Sequence, residues 1–227
     1  YDTLKNRIAH YRHKPDIIGL SDTYLQADTD QSVYPISPYN HHHRQDVSIY
    51  INNNLHYTIC DDIHNPDIAM IIINIHKNDR KDKPIHTIIN CYRRPHRGGA
   101  DLINNLQTTI DQIHEKYPST STTIQGDLNL DLFTPTQTLI NFLTENNLHT
   151  VITTPTRYDQ RHNTTTLIDI ILTTLTSTAI TAGTMSPPIT DHLPIYAIFH
   201  LPTPRKRENK QKTLSNNKYE KHKYTTL

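Results

Sequence analysis

The chain has no tryptophan, two cysteines and five glycines among its 227 residues. Cys60 and Cys91 lie far apart and form no CxxC pair, so the sequence indicates neither a disulfide framework nor a structural zinc site. A reducing compartment is therefore expected. No apolar run approaches the roughly 18 to 20 residues that a membrane-spanning helix needs, and the longest, residues 68–75, has the length of a strand. The sequence therefore predicts no membrane partner.

Apolar side chains are also scarce. Hydrophobic residues make up 34% of the chain, whereas about 45–50% is usual when glycine is counted. This low share predicts a compact core with long polar loops. The length suits one domain with a tail. The chain does not begin with methionine, which predicts that it is a piece of a longer protein.

The net charge of +1 is unevenly placed along the chain. From Arg205 onward there are eight basic and two acidic side chains, which leaves 15 basic and 20 acidic ones, a net charge of −5, before it. We expect one folded domain at 1–203 and a basic disordered linker or tail at 204–227. An acidic body argues against a protein that coats nucleic acid nonspecifically. It is compatible with an enzyme that gathers carboxylates around a cation.

Apolar spacing predicts helices at 2–13, 100–116 and 136–147 and about eight to ten strands. There is no strict alternation of strands and helices. An α/β (α+β) fold in which two sheets pack together with helices outside them is therefore expected.

Residues 26–45 read as a loop, and four successive strands between 46 and 92 suggest a meander. The loop contains the run His41, His42 and His43. Three adjacent side chains on a loop do not converge on one ion, so this run is interpreted as a solvated segment and not as a metal site.

Residues 122–132 contain the most informative stretch, TTIQGDLNLDL. Asp127 and Asn129 follow Gly126 with a spacing of two, so in extended backbone both side chains project to the same side. An acid beside an amide at a strand end suits the binding or activation of a water molecule. The same residues also suit an ordinary polar turn. Asp131 is interpreted as a turn residue.

Other polar residues recur at the ends of predicted strands: Asp22, Tyr92, Asp191 and His192. Each alone is explained by capping, partial burial or a turn. Asp169 differs because it lies within an apolar strand, where an unpaired carboxylate would cost several kcal/mol. It therefore needs a partner. An imidazole is one candidate, namely that of His192, and a threonine or backbone amide is another.

The order of these pieces resembles a known family. The segments concerned are LSDTYL (20–25), CYRRP (91–95), IQGDLNLDL (124–132), LIDIIL (167–172) and TDHLPIYAIF (190–199). In this order they resemble the endonuclease/exonuclease/phosphatase superfamily. Within it they are most similar to the apurinic-type endonuclease domain of non-LTR retrotransposon polyproteins. The likeness covers roughly residues 4–200.

The resemblance implies a four-layer αββα sandwich, with two packed and mostly antiparallel sheets, that cleaves a phosphodiester with Mg²⁺ or Mn²⁺. Tyr92 would contact the scissile phosphate. Asp127 would orient or deprotonate the attacking water, and Asn129 would hold that water or the phosphate. His192, backed by Asp169, would stabilise charge on the phosphorane.

The resemblance also implies that Asp22 and Asp191 lie at the metal. Arg93, Arg94 and Arg157 are either phosphate clamps or surface residues. The family has a glutamate where this chain has Asp22, and the family's first strand, which would precede the first helix, is absent from the sequence.

The partners implied are DNA and a reverse transcriptase domain of the same parent polyprotein, in the nucleus or the cytoplasm. The predicted function is a metal-dependent DNA endonuclease that leaves a 3′-hydroxyl primer for reverse transcription. Two alternatives stay open. One is a phosphodiesterase or phosphatase of the same fold with another substrate. The other is a catalytically decayed copy that acts only as a nucleic-acid-binding or assembly module.

Overall fold

A computed structural model of the chain describes residues 1–25, 29, 33–63, 68–77, 83–95, 98–176, 180–188 and 190–201. The predicted tail at 204–227 lies outside the described residues. None of the described helices is long and apolar enough to cross a membrane.

The described part of the chain contains three helices and thirteen strands. The helices are α1 (Asp2–His10), α2 (Gly99–Lys116) and α3 (Gln137–Glu145). The strands are β1 (Ile17–Ser21), β2 (Tyr39–Arg44), β3 (Val47–Asn52), β4 (Tyr57–Ile59), β5 (Ala69–His76), β6 (Pro84–Tyr92), β7 (Ser121–Asp127), β8 (His149–Thr150), β9 (Arg157–Asp159), β10 (Thr164–Thr166), β11 (Asp169–Thr173), β12 (Ile180–Thr184) and β13 (Ile195–Phe199).

The largest sheet has six strands in the order β4-β5-β6-β7-β11-β8. Its neighbouring strands are antiparallel except for β6 and β7, which are parallel. A parallel pair needs a crossover connection, and α2 supplies it. The carboxyl ends of β6 and β7 therefore meet at one edge of the sheet, beside the first residue of β11.

The continuous apolar run of β5 is explained by burial on both faces. Met70 and Ile72 pack with the apolar faces of α2 and α3 on the outer side of the sheet. Ile71 and Ile73 face inward, where they pack against Ile49 and its neighbours in β3. A strand covered on both sides gains nothing from alternation with polar residues.

The second layer consists of two small sheets, β1-β3-β2 and β12-β13. Ile17 of β1 and Phe199 of β13 both pack on the inner face of the large sheet. On the far side of β1-β3-β2, Ile8 of α1 packs with Tyr39 and Tyr50. The order of layers is thus helix, sheet, sheet, helix, and the predicted αββα sandwich is confirmed.

Two local predictions were wrong. The histidine run His41 to His43 is not a solvated loop but the middle of β2, and the ring of His41 is buried and stacked on Tyr50 with centroids 4.4 Å apart. The four-strand meander is also wrong, because β3 pairs with β1 and β2 while only β4, β5 and β6 are sequential neighbours. Apolar content marks a strand as buried without saying in which sheet it lies.

Candidate functional site

Three of the predicted residues lie side by side at one edge of the large sheet. Tyr92 ends β6 and is paired in register with Asp127, which ends β7. Asp169 begins β11 and is paired with Asp127 from the other side. Residues paired across adjacent strands project to the same face. The three side chains therefore share the inner face, where Tyr92 belongs to the core between the two layers.

Gly126 permits this approach of β7 to β6. Its backbone φ is +134°, a conformation that residues with a Cβ atom rarely adopt. A Cβ built on it would lie 1.8 Å from the carbonyl oxygen of Cys91 in β6. Only glycine therefore fits at position 126, because any side chain there would clash with β6. This close approach of the two strands places Asp127 beside Tyr92.

After Asp127 the chain turns sharply through Leu128 and Asn129. Asn129 has a left-handed φ of +50°. Its backbone N–H donates to Oδ1 of Asp127 at 2.8 Å, and its side-chain nitrogen donates to the carbonyl oxygen of Arg93 at 2.8 Å. Leu128 points into the core and is 1% exposed. The sequence-based prediction assumed extended backbone through Asn129, whereas β7 ends at Asp127 and the left-handed φ of Asn129 interrupts the extended conformation.

Asp169 has the imidazole partner that its burial requires. Nδ1 of His192 lies 3.0 Å from Oδ1 and 2.8 Å from Oδ2 of Asp169. The backbone N–H of Asp169 donates to Oγ1 of Thr156 at 3.1 Å. Because Asp169 engages Nδ1, the other ring nitrogen of His192 is the one available to a substrate.

Thr156 was not singled out in the sequence. Its hydroxyl oxygen also accepts a hydrogen bond from the N–H of Ile168, at 3.3 Å, and the residue is fully buried. It thus fixes the start of β11. A lone threonine in a polar connection carries no periodic or compositional signal that would have identified it.

Two ionisable groups of the site, Asp127 and His192, have raised pKa values. Burial raises the pKa of Asp127 to about 6, and the nearby charge of Asp169 acts in the same direction. Burial alone would lower the pKa of His192, but the hydrogen bond and charge of Asp169 outweigh it, so that pKa is raised. Ligand atoms of Asp127, Asp169 and His192 all lie within 4.8 Å of one another.

Asp22 lies on the β1 side of this cluster. It follows Ser21, whose hydroxyl oxygen accepts a hydrogen bond from the backbone N–H of Asp127 at 3.2 Å, so the end of β1 lies over the end of β7. Asp22 has a left-handed φ of +55°. The pKa of Tyr92 is raised by burial and then by a hydrogen bond to the carboxylate of Asp22. Asp22 also raises the pKa of the exposed Tyr24, chiefly through a hydrogen bond.

Asp191 precedes His192 in the chain and forms an ion pair with Arg157. Its Oδ2 accepts a hydrogen bond from Nε of Arg157 at 2.9 Å. Burial acts to raise the pKa of Asp191, but the hydrogen bond from Arg157 and the charge of His192 lower it below its usual value. Arg157 is therefore not an isolated phosphate clamp. It is tied to the residue that was predicted to bind the metal.

The cluster suits a divalent cation chemically. Asp127 and Asp169 are two neighbouring carboxylates, and burial penalises the charge on the first. Hard cations prefer oxygen ligands, and one would relieve this accumulation of negative charge. Within the described residues, Asp127, Asp169 and His192 form the group with suitable spacing, and neither Asp22 nor Asp191 belongs to it. The metal-binding roles of Asp22 and Asp191 stay predictions.

Comparisons with known proteins agree with this fold. Residues 86–196 match the model of a family described as "Endonuclease-reverse transcriptase". A search of curated protein sequences gave no significant match. Similar solved structures include the endonuclease domain of TRAS1, a telomere-specific non-LTR retrotransposon, with 14% identity, a TM-score of 0.57 and coverage of 83% of this chain and 82% of that one.

Two further solved structures have similar scores. An endonuclease/exonuclease/phosphatase family protein from Leptotrichia buccalis is 14% identical, with a TM-score of 0.58 and coverage of 88% of this chain and 92% of that one. The human nocturnin catalytic domain is 14% identical, with a TM-score of 0.56 and coverage of 88% of this chain and 87% of that one. At this identity, such likeness establishes the fold.

Proposed function

We propose that the chain is a metal-dependent endonuclease that nicks target DNA. Residues 86–196 match a family described as "Endonuclease-reverse transcriptase", and the fold is that of endonuclease/exonuclease/phosphatase proteins, whose members are nucleases and phosphodiesterases. The nick would leave a 3′-hydroxyl primer for reverse transcription. The observation that carries this proposal is the meeting of Asp127 and Asn129 with the hydrogen-bonded pair Asp169–His192 at one sheet edge.

In the proposed reaction a water molecule attacks the phosphorus atom, and the bond from phosphorus to the 3′ oxygen breaks. Asp127 accepts the proton of the water, because with a pKa of about 6 it is ionised at neutral pH. The side chain of Asn129, oriented by its bond to the Arg93 carbonyl, would hold the water or the phosphate. The leaving oxygen takes up a proton from solvent and becomes the 3′-hydroxyl.

His192 and Tyr92 would stabilise the phosphate as its charge changes. The raised pKa of His192 favours its cationic form, which stabilises negative charge on the phosphorane. The hydroxyl of Tyr92 stays protonated, and its one proton, which is hydrogen-bonded to the carboxylate of Asp22, would be transferred to a hydrogen bond with a phosphate oxygen when substrate binds. A bound Mg²⁺ or Mn²⁺, for which Asp22 and Asp191 are the proposed ligands, would supply further neutralisation of phosphate charge.

DNA is the proposed substrate for two reasons. The family model that matches residues 86–196 is described as an endonuclease joined to a reverse transcriptase, and one similar structure is a retrotransposon endonuclease domain. The basic residues from Arg205 onward would add attraction to phosphates. We propose accordingly that the chain works beside a reverse transcriptase domain of the same polyprotein, in the nucleus or the cytoplasm.

The proposal is tested by incubating the purified chain with supercoiled plasmid and Mg²⁺, beside the variants Asp127→Ala and His192→Ala. Asp159→Asn is a matched control, because Asp159 pairs with His162 on the exposed β9–β10 hairpin. We expect nicked circles from the unmutated chain and the control, with ends that a polymerase extends. EDTA should abolish the nicking. Equal nicking by all four proteins would show a contaminating nuclease.

The acidic body of the chain favours a second candidate, a phosphodiesterase of the same fold with a substrate other than DNA. Residues 1–204 carry a net charge of −5, which opposes binding of a long polyanion. If plasmid stays intact while the chain hydrolyses bis(p-nitrophenyl) phosphate with Mg²⁺, this second candidate replaces the first. Binding of DNA without hydrolysis of either substrate would support the decayed binding module instead.

A further inference from the structure

Two consecutive arginines follow Tyr92, and their surroundings differ. The guanidinium of Arg94 is largely exposed, and its Nη2 lies 2.7 Å from Oδ2 of Asp46. The guanidinium of Arg93 is directed at the main chain of the turn after β7. Its Nε donates to the carbonyl oxygen of Leu128 at 2.6 Å, and its Nη2 donates to the carbonyl oxygen of Asn129 at 2.5 Å. Sequence alone could not separate the two.

Arg93 and the turn are also joined through the backbone. The N–H of Arg93 donates to the carbonyl oxygen of Asp127 at 3.0 Å, and the side chain of Asn129 donates to the carbonyl oxygen of Arg93 at 2.8 Å. Together with the two guanidinium bonds, four hydrogen bonds tie the end of β6 to the turn that follows β7. The two strand ends are therefore linked by both main-chain and side-chain hydrogen bonds.

The turn needs such support because of its conformation. Asn129 has a left-handed φ of +50°, a conformation that non-glycine residues disfavour, although asparagine tolerates it better than most. Such a conformation persists when the surroundings impose it. The planar guanidinium has donors at fixed angles, so it can bind two successive carbonyl oxygens at once, which a lysine ammonium cannot do in the same geometry.

We propose that Arg93 is a positioning residue, which holds the turn so that the N–H of Asn129 remains on the carboxylate of Asp127. In this role Arg93 does not clamp a substrate phosphate. The predicted effect of Arg93 on catalysis depends on the proposed endonuclease function. The predicted effect of Arg93 on the turn depends only on its contacts with Leu128 and Asn129.

The direct test is amide hydrogen exchange at Asn129, followed by NMR in EDTA, for Arg93→Lys, Arg93→Gln and the matched variant Arg94→Gln. We expect exchange at Asn129 to become about tenfold faster or more in both Arg93 variants, and to stay unchanged in Arg94→Gln. Thermal unfolding checks that each variant is folded, and Arg93→Lys, which keeps the charge, is the milder change. Unchanged exchange in a folded Arg93 variant would overturn the proposal.

Kinetics and binding separate positioning from a phosphate contact. For a positioning residue, kcat for plasmid nicking should fall by about 10²-fold in Arg93→Lys, while KM and the salt dependence of DNA binding change little. A phosphate clamp gives the reverse, a raised Kd and a shallower salt slope with kcat kept, and that result would overturn the proposal. If the unmutated chain nicks nothing, the endonuclease function fails, and the exchange at Asn129 still decides the role of Arg93.

Discussion

Nδ1 of His192 lies 2.8 Å from Oδ2 of Asp169, although the two residues are 23 positions apart in the sequence. Asp169 is anchored in β11, whereas His192 precedes β13 in the second layer. The contact therefore joins the two layers of the sandwich at the site. It occupies Nδ1 of the imidazole and raises the pKa of His192.

Replacement of Asp169 by asparagine should lower the pKa of His192, because the amide keeps a hydrogen-bonding group but removes the charge. Without that charge, the burial of the ring acts unopposed by Asp169. We expect the nicking rate to fall by about 10²- to 10³-fold. NMR titration of the His192 ring in EDTA measures the pKa. A raised or unchanged pKa in Asp169→Asn would contradict the electrostatic role assigned to Asp169.

The proposed metal role of Asp22 predicts a change in Mg²⁺ dependence. Asp22→Asn removes a charged oxygen ligand, so the Mg²⁺ concentration for half-maximal nicking should rise by about tenfold or more. Asp22→Glu, which extends the reach by one methylene, should recover most of the lost affinity. Titration of nicking with Mg²⁺ measures both, with Asp159→Asn as the control. An identical Mg²⁺ requirement in Asp22→Asn would exclude Asp22 as a ligand.

Gly126→Ala should destabilise the protein by about 3 kcal/mol or more, because its Cβ would lie 1.8 Å from a backbone oxygen at a φ of +134°. Gly183→Ala is the control, since its Cβ would lie 3.3 Å from the Tyr196 ring in an ordinary strand. That change should alter stability by less than about 1 kcal/mol. Urea unfolding followed by circular dichroism compares the two, and equal losses would refute the steric argument.

His86 should make the protein less stable in mild acid. It is 1% exposed, its ring nitrogens contact the hydroxyls of Ser121 and Thr123, and burial lowers the pKa of His86 to about 4. In the unfolded chain its pKa is about 6.5, so between these values the unfolded state binds the extra proton. The free energy of unfolding therefore falls as pH drops from about 6.5 to 4, by up to about 3 kcal/mol.

The variant His86→Gln keeps a hydrogen-bonding side chain that does not titrate. Urea unfolding at pH 7 and pH 4.5 should show a smaller loss of stability on acidification for the variant than for the unmutated chain. If both lose the same free energy over this range, His86 is not the residue responsible.

Much of the site was predictable because its residues follow from short-range rules. The spacing of Asp127 and Asn129, with Leu128 between them, sets which side chains face the core. The position of Asp169 in an apolar strand demanded a partner, and His192 was one of the candidates beside a threonine or a backbone amide. Both inferences can be made without knowledge of which strands are neighbours. The position of Tyr92 beside Asp127 cannot be predicted in this way, because it depends on the pairing of β6 with β7 across the sheet.

The parts that escaped prediction depend on long-range packing. The strand β3 has the same apolar character as β5, and only tertiary contacts decide that it joins the second layer. The bond between Arg93 and the turn after β7 likewise spans 35 positions in the sequence. Short polar strands such as β9 and β10 have little apolar pattern to reveal them, and they form because they pair with each other.

The second layer contains five described strands in two separate pieces, β1-β3-β2 and β12-β13, so it has four edges where one continuous sheet would have two. An unpaired edge presents main-chain donors and acceptors to any extended chain that reaches it. With a net charge of +1, little electrostatic repulsion keeps two copies apart. The outer strands of these two pieces are therefore the places where the described part of the second layer leaves main-chain groups open to pairing with another strand.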